Sequence, residues 1–347
     1  MRSGRALPVS SLAAVVLVLA VARSAPGAAP LAGSPRNAGV SVYLLKDPDL
    51  DTFRAAELPL ADLPLSDTPW IAAADIERYD VSAHCFQLKR PVPQPPSRVS
   101  LRGTPFVVTA DGQRCYLGTL WTMISSFAPP QGVPTITTLG RTGSTDLVGI
   151  EGPAAVLNDA RLFAALQRDG QFSAGIECSL DRVDVLPAPD GASIRYTFTV
   201  RNRDRDALYV LDTDRMDYDY VRRYQLGIVA LVSQDPGRRD VLRPNPIRQV
   251  KELPLPHGKI DPAWFIRLPS GESITRTATE PAFAAVPPGR YRCILWYGYP
   301  AYSPGFFAPR LTRAERERPD GRVWLGLLRV DHPVLVKDPA DPHNTDF

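Results

Sequence analysis

Ser193-Ile194-Arg195-Tyr196-Thr197-Phe198-Thr199-Val200-Arg201 alternates between apolar and polar residues without a break. Ile194, Tyr196, Phe198 and Val200 fall on one side of an extended chain, and Arg195, Thr197, Thr199 and Arg201 on the other. A period of two marks a strand with one face on a core and one in water. Working outward, strands are expected at 208–211, 225–232, 264–268, 274–279, 291–297 and 323–330. Asp190-Gly191, Ser270-Gly271 and Pro288-Gly289 punctuate them as turns. Short strands with regular turns predict a β-sandwich over residues 174–347.

Upstream the pattern is mixed, and residues 39–138 read as a small α+β module. A first strand is expected at 42–45, a short helix at 72–77 and a strand at 84–88. The clearest local signal is Phe106-Val107-Val108-Thr109-Ala110, then Asp111-Gly112, then Gln113-Arg114-Cys115-Tyr116-Leu117. Asp-Gly suits a two-residue hairpin turn in which both residues take positive φ. That register would put Phe106, Val108, Cys115 and Leu117 on one face. Residues 139–173 read as a linker with one helix, started by Asn158-Asp159, striped by Leu162, Phe163 and Leu166, and stopped by Gly170. The expected class is therefore mainly β, an α+β module followed by an all-β sandwich.

The first residues set the compartment. Arg2 and Arg5 precede an apolar run from Leu12 to Ala22, and Ala20-Val21-Ala22 offers a small-x-small cleavage site. Residues 1–22 thus read as a secretory signal peptide, and 23–38 as a disordered small-residue spacer. The run is about half the length that spans a bilayer. A periplasmic or extracellular location follows, with membrane attachment only through an uncleaved signal segment. The chain has 347 residues and a formal charge of +3, two of which leave with the signal. A near-neutral balance, with basic residues scattered, argues against nucleic acid as a partner. The 36 prolines are about twice the usual share and favour short strands over long helices.

Two resemblances add to this reading. Arg290-Tyr291-Arg292-Cys293 places a Tyr two residues before a Cys on a late strand, after the sharp corner Val286-Pro287-Pro288-Gly289. In this it is similar to immunoglobulin-like sandwiches, a fold that hosts many unrelated functions. Asp75-Ile76-Glu77-Arg78-Tyr79-Asp80 and Pro105-Phe106-Val107-Val108 to Leu120-Trp121 resemble a module of uncharacterised bacterial exported proteins. That module is faintly similar to the periplasmic head of the SecD export subunit. The similarity spans 75–136 only and does not imply export activity.

Candidate sites are few. Asp212, Asp214, Asp217 and Asp219 form the densest carboxylate cluster and could hold calcium, which takes oxygen ligands. Arg215, Arg222 and Arg223 interleave, and a solvated loop with surface ion pairs is the favoured reading. Trp296, Tyr297, Tyr299, Tyr302, Phe306 and Phe307 lie among Gly and Pro in a stretch expected to be loop. There they either bind a ligand or close the end of the sandwich. The four cysteines, Cys85, Cys115, Cys178 and Cys293, lack metal or CxxC spacing. In an oxidising compartment a Cys178–Cys293 disulfide is expected. His84 beside Cys85 is read as structural, and Ser125-Ser126 has no assignable base.

No catalytic motif stands out. The sequence favours an exported, non-enzymatic binding or interaction protein of the envelope or exterior, its partner a protein or glycan. An exported hydrolase with dispersed residues and an envelope assembly factor are the alternatives.

Overall fold

The computed structural model of the chain describes residues 38–92, 100–122, 124–138, 146–188, 191–215, 228–235, 241–242, 261–283, 285–299 and 311–337. Residues 1–22, read from the sequence as a signal segment, and 23–37, read as a spacer, lie outside them. The fold is mainly β, with several sheets and short helices.

One sheet runs Val40–Leu44, Thr104–Ala110, Gln113–Thr122, Thr135–Thr138. Its central hairpin turns at Asp111 and Gly112, with φ of 50° and 74°. Positive φ at both positions is what a two-residue turn of matching twist demands. The register then slips. Thr109 faces Arg114, but Val108 faces Tyr116, so Cys115 drops out of the pairing. Beyond such a bulge every side chain changes face. Tyr116 and Gly118, rather than Cys115 and Leu117, therefore stand opposite Val108 and Phe106. Gly118 makes room for the Phe106 ring, since a Cβ there would lie 2.3 Å from it.

A second sheet runs Leu147–Gly149, Cys85–Leu88, Ile76–Asp80, Phe172–Ser173. The helix expected at 72–77 reduces to a single 3-10 turn, Ala73–Asp75, and the strand Ile76–Asp80 takes over. One turn is too short to sustain a helix, and strand partners on both sides satisfy this backbone instead. Residues 146–173 are not a linker. They add two strands to this sheet, and helix Ala160–Arg168 buries Leu162, Ala165 and Leu166 in the core of the first part. Asp159 caps that helix through the Arg161 amide, and Gly170 leaves it at φ 69°.

In the second part, Ser273–Phe283, Gly191–Asn202 and Ile176–Ala188 form one sheet, and Val241–Leu242, Ile228–Ser233, Gly289–Tyr299 and Gly326–Val336 another. The two enclose a single core. Ile194, Tyr196, Phe198 and Val200 are all at most 2% exposed, as the alternating run predicts. The strand expected at 323–330 is split. Gly321–Val323 joins Leu208–Leu211, Phe265–Leu268 and Glu317–Arg318 in a separate small sheet, while Gly326–Val336 pairs with Gly289–Tyr299.

The expected Cys178–Cys293 disulfide is absent, and both thiols are free and buried. Cys178 sits on the edge strand of its sheet, and across the core that strand lies against Gly326–Val336 more than against the Gly289–Tyr299 strand of Cys293. Facing sheets pack about 10 Å apart, and cysteines not directly opposite each other miss the Cβ separation of about 3.5–4.5 Å that a disulfide needs. Burial pushes each thiol up to about 12.

Candidate functional site

The sheet containing Cys85–Leu88 has a core on each side. Tyr79, Phe86, Leu88 and Val148 face the first core, while Ala83 and Cys85 join the second. Strand alternation at 85–88 thus welds the two parts along one seam. Trp324 closes it. Its Nε1 donates to Ser82 Oγ at 3.0 Å, and its ring stacks on Tyr297 at 6.4 Å. A Cβ on Gly298 or Gly326 would come within 2.5 or 2.6 Å of that ring, so both positions admit only glycine.

Beside Trp324 the seam is ionic and buried. Arg322 donates through Nη2 to Ser173 Oγ and Asp204 Oδ2 at 2.5 Å each and approaches Asp80 Oδ2 at 3.5 Å. Burial pushes the Asp204 carboxyl up, but the Ser173 hydroxyl and the Arg322 charge outweigh it and hold it below the usual carboxylate range. The short helix Arg313–Arg316, capped by Thr312, brings two more arginines. Arg316 pairs with Asp146 and Arg313 with Glu77. Gln87 donates to Glu317 at 2.9 Å. Between these groups lies a crevice of about 20 Å³, walled by Arg78, Asp80, Gln87, Arg316, Glu317 and Arg322 among others. Burial, and next the Arg322 charge, hold the pKa of Arg78 down. A lone arginine between Gly321 and the apolar Val323-Trp324-Leu325 was the only sequence sign of this cluster.

His84 precedes the strand in a left-handed turn (φ 47°) rather than lying in it, and its Nδ1 is 3.0 Å from the Tyr79 hydroxyl. Burial pulls its pKa below the ordinary 6.5, against the opposing charge of Asp80. The unfolded chain then binds a proton near pH 6.5 that the fold resists, so stability falls as pH drops below that value. His84→Asn keeps a residue tolerant of positive φ. Urea midpoints measured between pH 7.5 and 5.5 should decline less in that variant than in the parent. Equal slopes would show that His84 titrates freely.

The residues singled out from sequence are dispersed. Trp296 and Tyr297 lie in the strand Gly289–Tyr299, not in a loop. Tyr297 is buried and donates to Leu211 O at 2.6 Å, and Trp296 is half-buried. Tyr299 ends the strand, and Tyr302, Phe306 and Phe307 fall outside the described residues. Asp212 is buried and gripped by Arg276 through two bonds of 2.7 and 2.8 Å, which lower its pKa. Asp214 also pairs with Arg276. Asp217 and Asp219 fall outside the described residues. Among the described residues no three His, Cys, Asp or Glu side chains are placed to hold a metal ion, and no helix is long and apolar enough to cross a membrane.

Sequence reading missed a surface at one end of the first sheet. Leu101, Ile124 and Phe127 are 51, 74 and 51% exposed. Ser125 Oγ donates to Leu101 O at 2.6 Å and accepts from the Phe127 amide, which gathers the three. The Arg102 guanidinium lies 5.1 Å from the centre of the Phe53 ring and 5.9 Å from that of Phe127, and Asp51 holds it from the other side. A neighbouring groove of about 590 Å³ is lined by Leu44, Leu45, Leu50 and Pro105 with Asp47 and Asp49. Between Lys46 and Asp67 six carboxylates (Asp47, Asp49, Asp51, Glu57, Asp62, Asp67) outnumber two cations, Lys46 and Arg54. The apolar members follow no period, so no strand or helix pattern could reveal them.

Compared with protein-family models, curated proteins and solved structures, the chain matches none.

Proposed function

We propose that this protein is exported and acts by binding, without catalysis, to a protein or glycan of the cell envelope or exterior. The observation that carries the reading is the surface at Leu101, Ile124 and Phe127. Three of the five large apolar side chains exposed among the described residues gather there, beside a groove of ligand size. The acidic stretch from Lys46 to Asp67 favours a partner with cationic groups around an apolar centre.

The second part serves in this reading as an immunoglobulin-like sandwich frame. Its strand order supports that: Ile176–Ala188, Gly191–Asn202 and Ser273–Phe283 stand as A, B and E, and Gly326–Val336, Gly289–Tyr299 and Ile228–Ser233 as G, F and C. The Tyr291 hydroxyl also donates back to Pro287 O at 2.8 Å, as the tyrosine corner of such domains does. A SecD-head-like reading of 75–136 has the Asp-Gly hairpin in its support. The helix packed against that hairpin comes from Ala160–Arg168, outside the compared stretch.

The test is a double change, Ile124→Ser with Phe127→Ser, in the exported protein. Each anchor lost from such a centre costs about 2 kcal/mol, or about 30-fold in affinity. Crosslinking in envelope extract should yield a defined partner whose capture falls at least that far while the melting temperature stays put. Undiminished capture would sink the assignment of this surface. The same patch would serve an envelope assembly factor, and protease sensitivity of the captured partner distinguishes the two: a folded partner resists, an assembly client does not.

A further inference from the structure

We propose that the crevice in the seam is a binding site for one small inorganic anion of halide size, held by Arg316, Arg322 and Arg78. Arg316 is 4% exposed, yet its Nε and Nη1 have no hydrogen-bond partner, while only its Nη2 meets Asp146. Arg322 is 8% exposed, and its Nε is likewise unpartnered. Buried N–H groups are nearly always paired, and three orphan guanidinium nitrogens on two arginines that wall one hollow are an exception that asks for an occupant.

The kind of donor decides the kind of occupant. None of the unpartnered buried atoms belonging to the crevice walls is an acceptor. The nearby carboxylates are already engaged: Asp146 by Arg316, Asp204 by Arg322, Glu317 by Arg313 and Gln87, and Asp80 by the Ser82 hydroxyl and the Ala83 amide. A water accepts at most two of these N–H groups, whereas a halide takes more and brings no proton of its own. Size agrees: about 20 Å³ has room for one such body. The walls themselves carry three guanidinium groups and two carboxylates, Asp80 and Glu317, while Asp146 and Asp204 pair with Arg316 and Arg322. Arg78 has no carboxylate partner among the described residues.

Occupied, the site would tie Arg316 and Arg322 to Arg78, and so fasten the segment from Thr312 to Val323 onto the sheet of the first part. Thermal unfolding of the whole protein in sodium chloride, bromide or methanesulfonate at one ionic strength tests this. Chloride and bromide should raise the melting temperature saturably, and methanesulfonate should not. Arg316→Gln should abolish the halide effect. Should that variant fail to fold, Arg78→Gln, at a half-buried position, should weaken the chloride midpoint by roughly tenfold, the order of one lost charge-assisted contact. Crystals soaked in bromide should show anomalous scattering between Arg316 and Arg322. Identical melting in all three salts with no bromide signal would mean that water fills the crevice, and would overturn the proposal.

Discussion

Trp324→Ala is expected to lower the unfolding free energy by about 3–5 kcal/mol, the range for deleting a large buried aromatic. The ring is 1% exposed and touches both parts of the molecule. It stacks on Tyr297 in the second core, and its indole N–H reaches Ser82 in the first part. The neighbours cannot readily collapse into the gap. Gly298 and Gly326, which flank the ring, have no side chains to move, and their backbones are held in the ladder between Gly289–Tyr299 and Gly326–Val336. Urea unfolding followed by far-UV circular dichroism measures the loss. Trp324→Phe should recover part of it, because the stack survives while the bond to Ser82 does not. A deficit under about 1 kcal/mol would mean that the seam does not depend on this ring.

Arg322→Ala should cost a similar amount, about 3–5 kcal/mol, for a different reason. The loss comes less from the contacts removed than from the charges left behind. Asp204 is 6% exposed and Asp80 is 7% exposed, and Arg322 is the cation that faces both. The pH dependence separates this mechanism from simple packing. In the parent the Asp204 carboxyl titrates below its unfolded value, so its contribution is present above the unfolded pKa and fades as pH falls through the folded one. Without Arg322 the Ser173 hydroxyl and the Arg205 amide still hold the carboxyl down, but the opposing burial is less well offset and the folded pKa rises. The stabilising contribution of the ionised carboxyl then shrinks, most where it is fully ionised. The deficit of Arg322→Ala should therefore be smaller at pH 4.5 than at pH 7.5. The double change Arg322→Leu with Asp204→Leu should regain the share owed to Asp204, since apolar pairs of similar volume often replace buried ion pairs without loss, while Asp80 stays without its cation. A deficit independent of pH would assign the effect to packing alone.

The alternating run 193–201, the Asp111-Gly112 turn and the Asp159-to-Gly170 helix were legible because each is written in local rules. Strand period, turn φ and helix caps depend on residues within a few positions of one another. The mainly β class follows from those rules and from the distribution of proline. Other features needed the folded chain. A single extra residue at Cys115 reversed the face of everything after it, and no local pattern announces a bulge. Cys178 and Cys293 both sit on the core face as alternation requires, yet whether they meet depends on which strand lies beside which. The linker reading of 139–173 failed because Leu147–Gly149 and Phe172–Ser173 find partners more than fifty residues away along the chain. The seam is the extreme case. Asp80, Asp146, Ser173, Asp204 and the pair Arg316 and Arg322 come from five separate stretches and carry no shared motif. Each alone reads as an ordinary surface polar residue. Only tertiary packing buries them together, and burial, by removing water from their charges, turns them into a site.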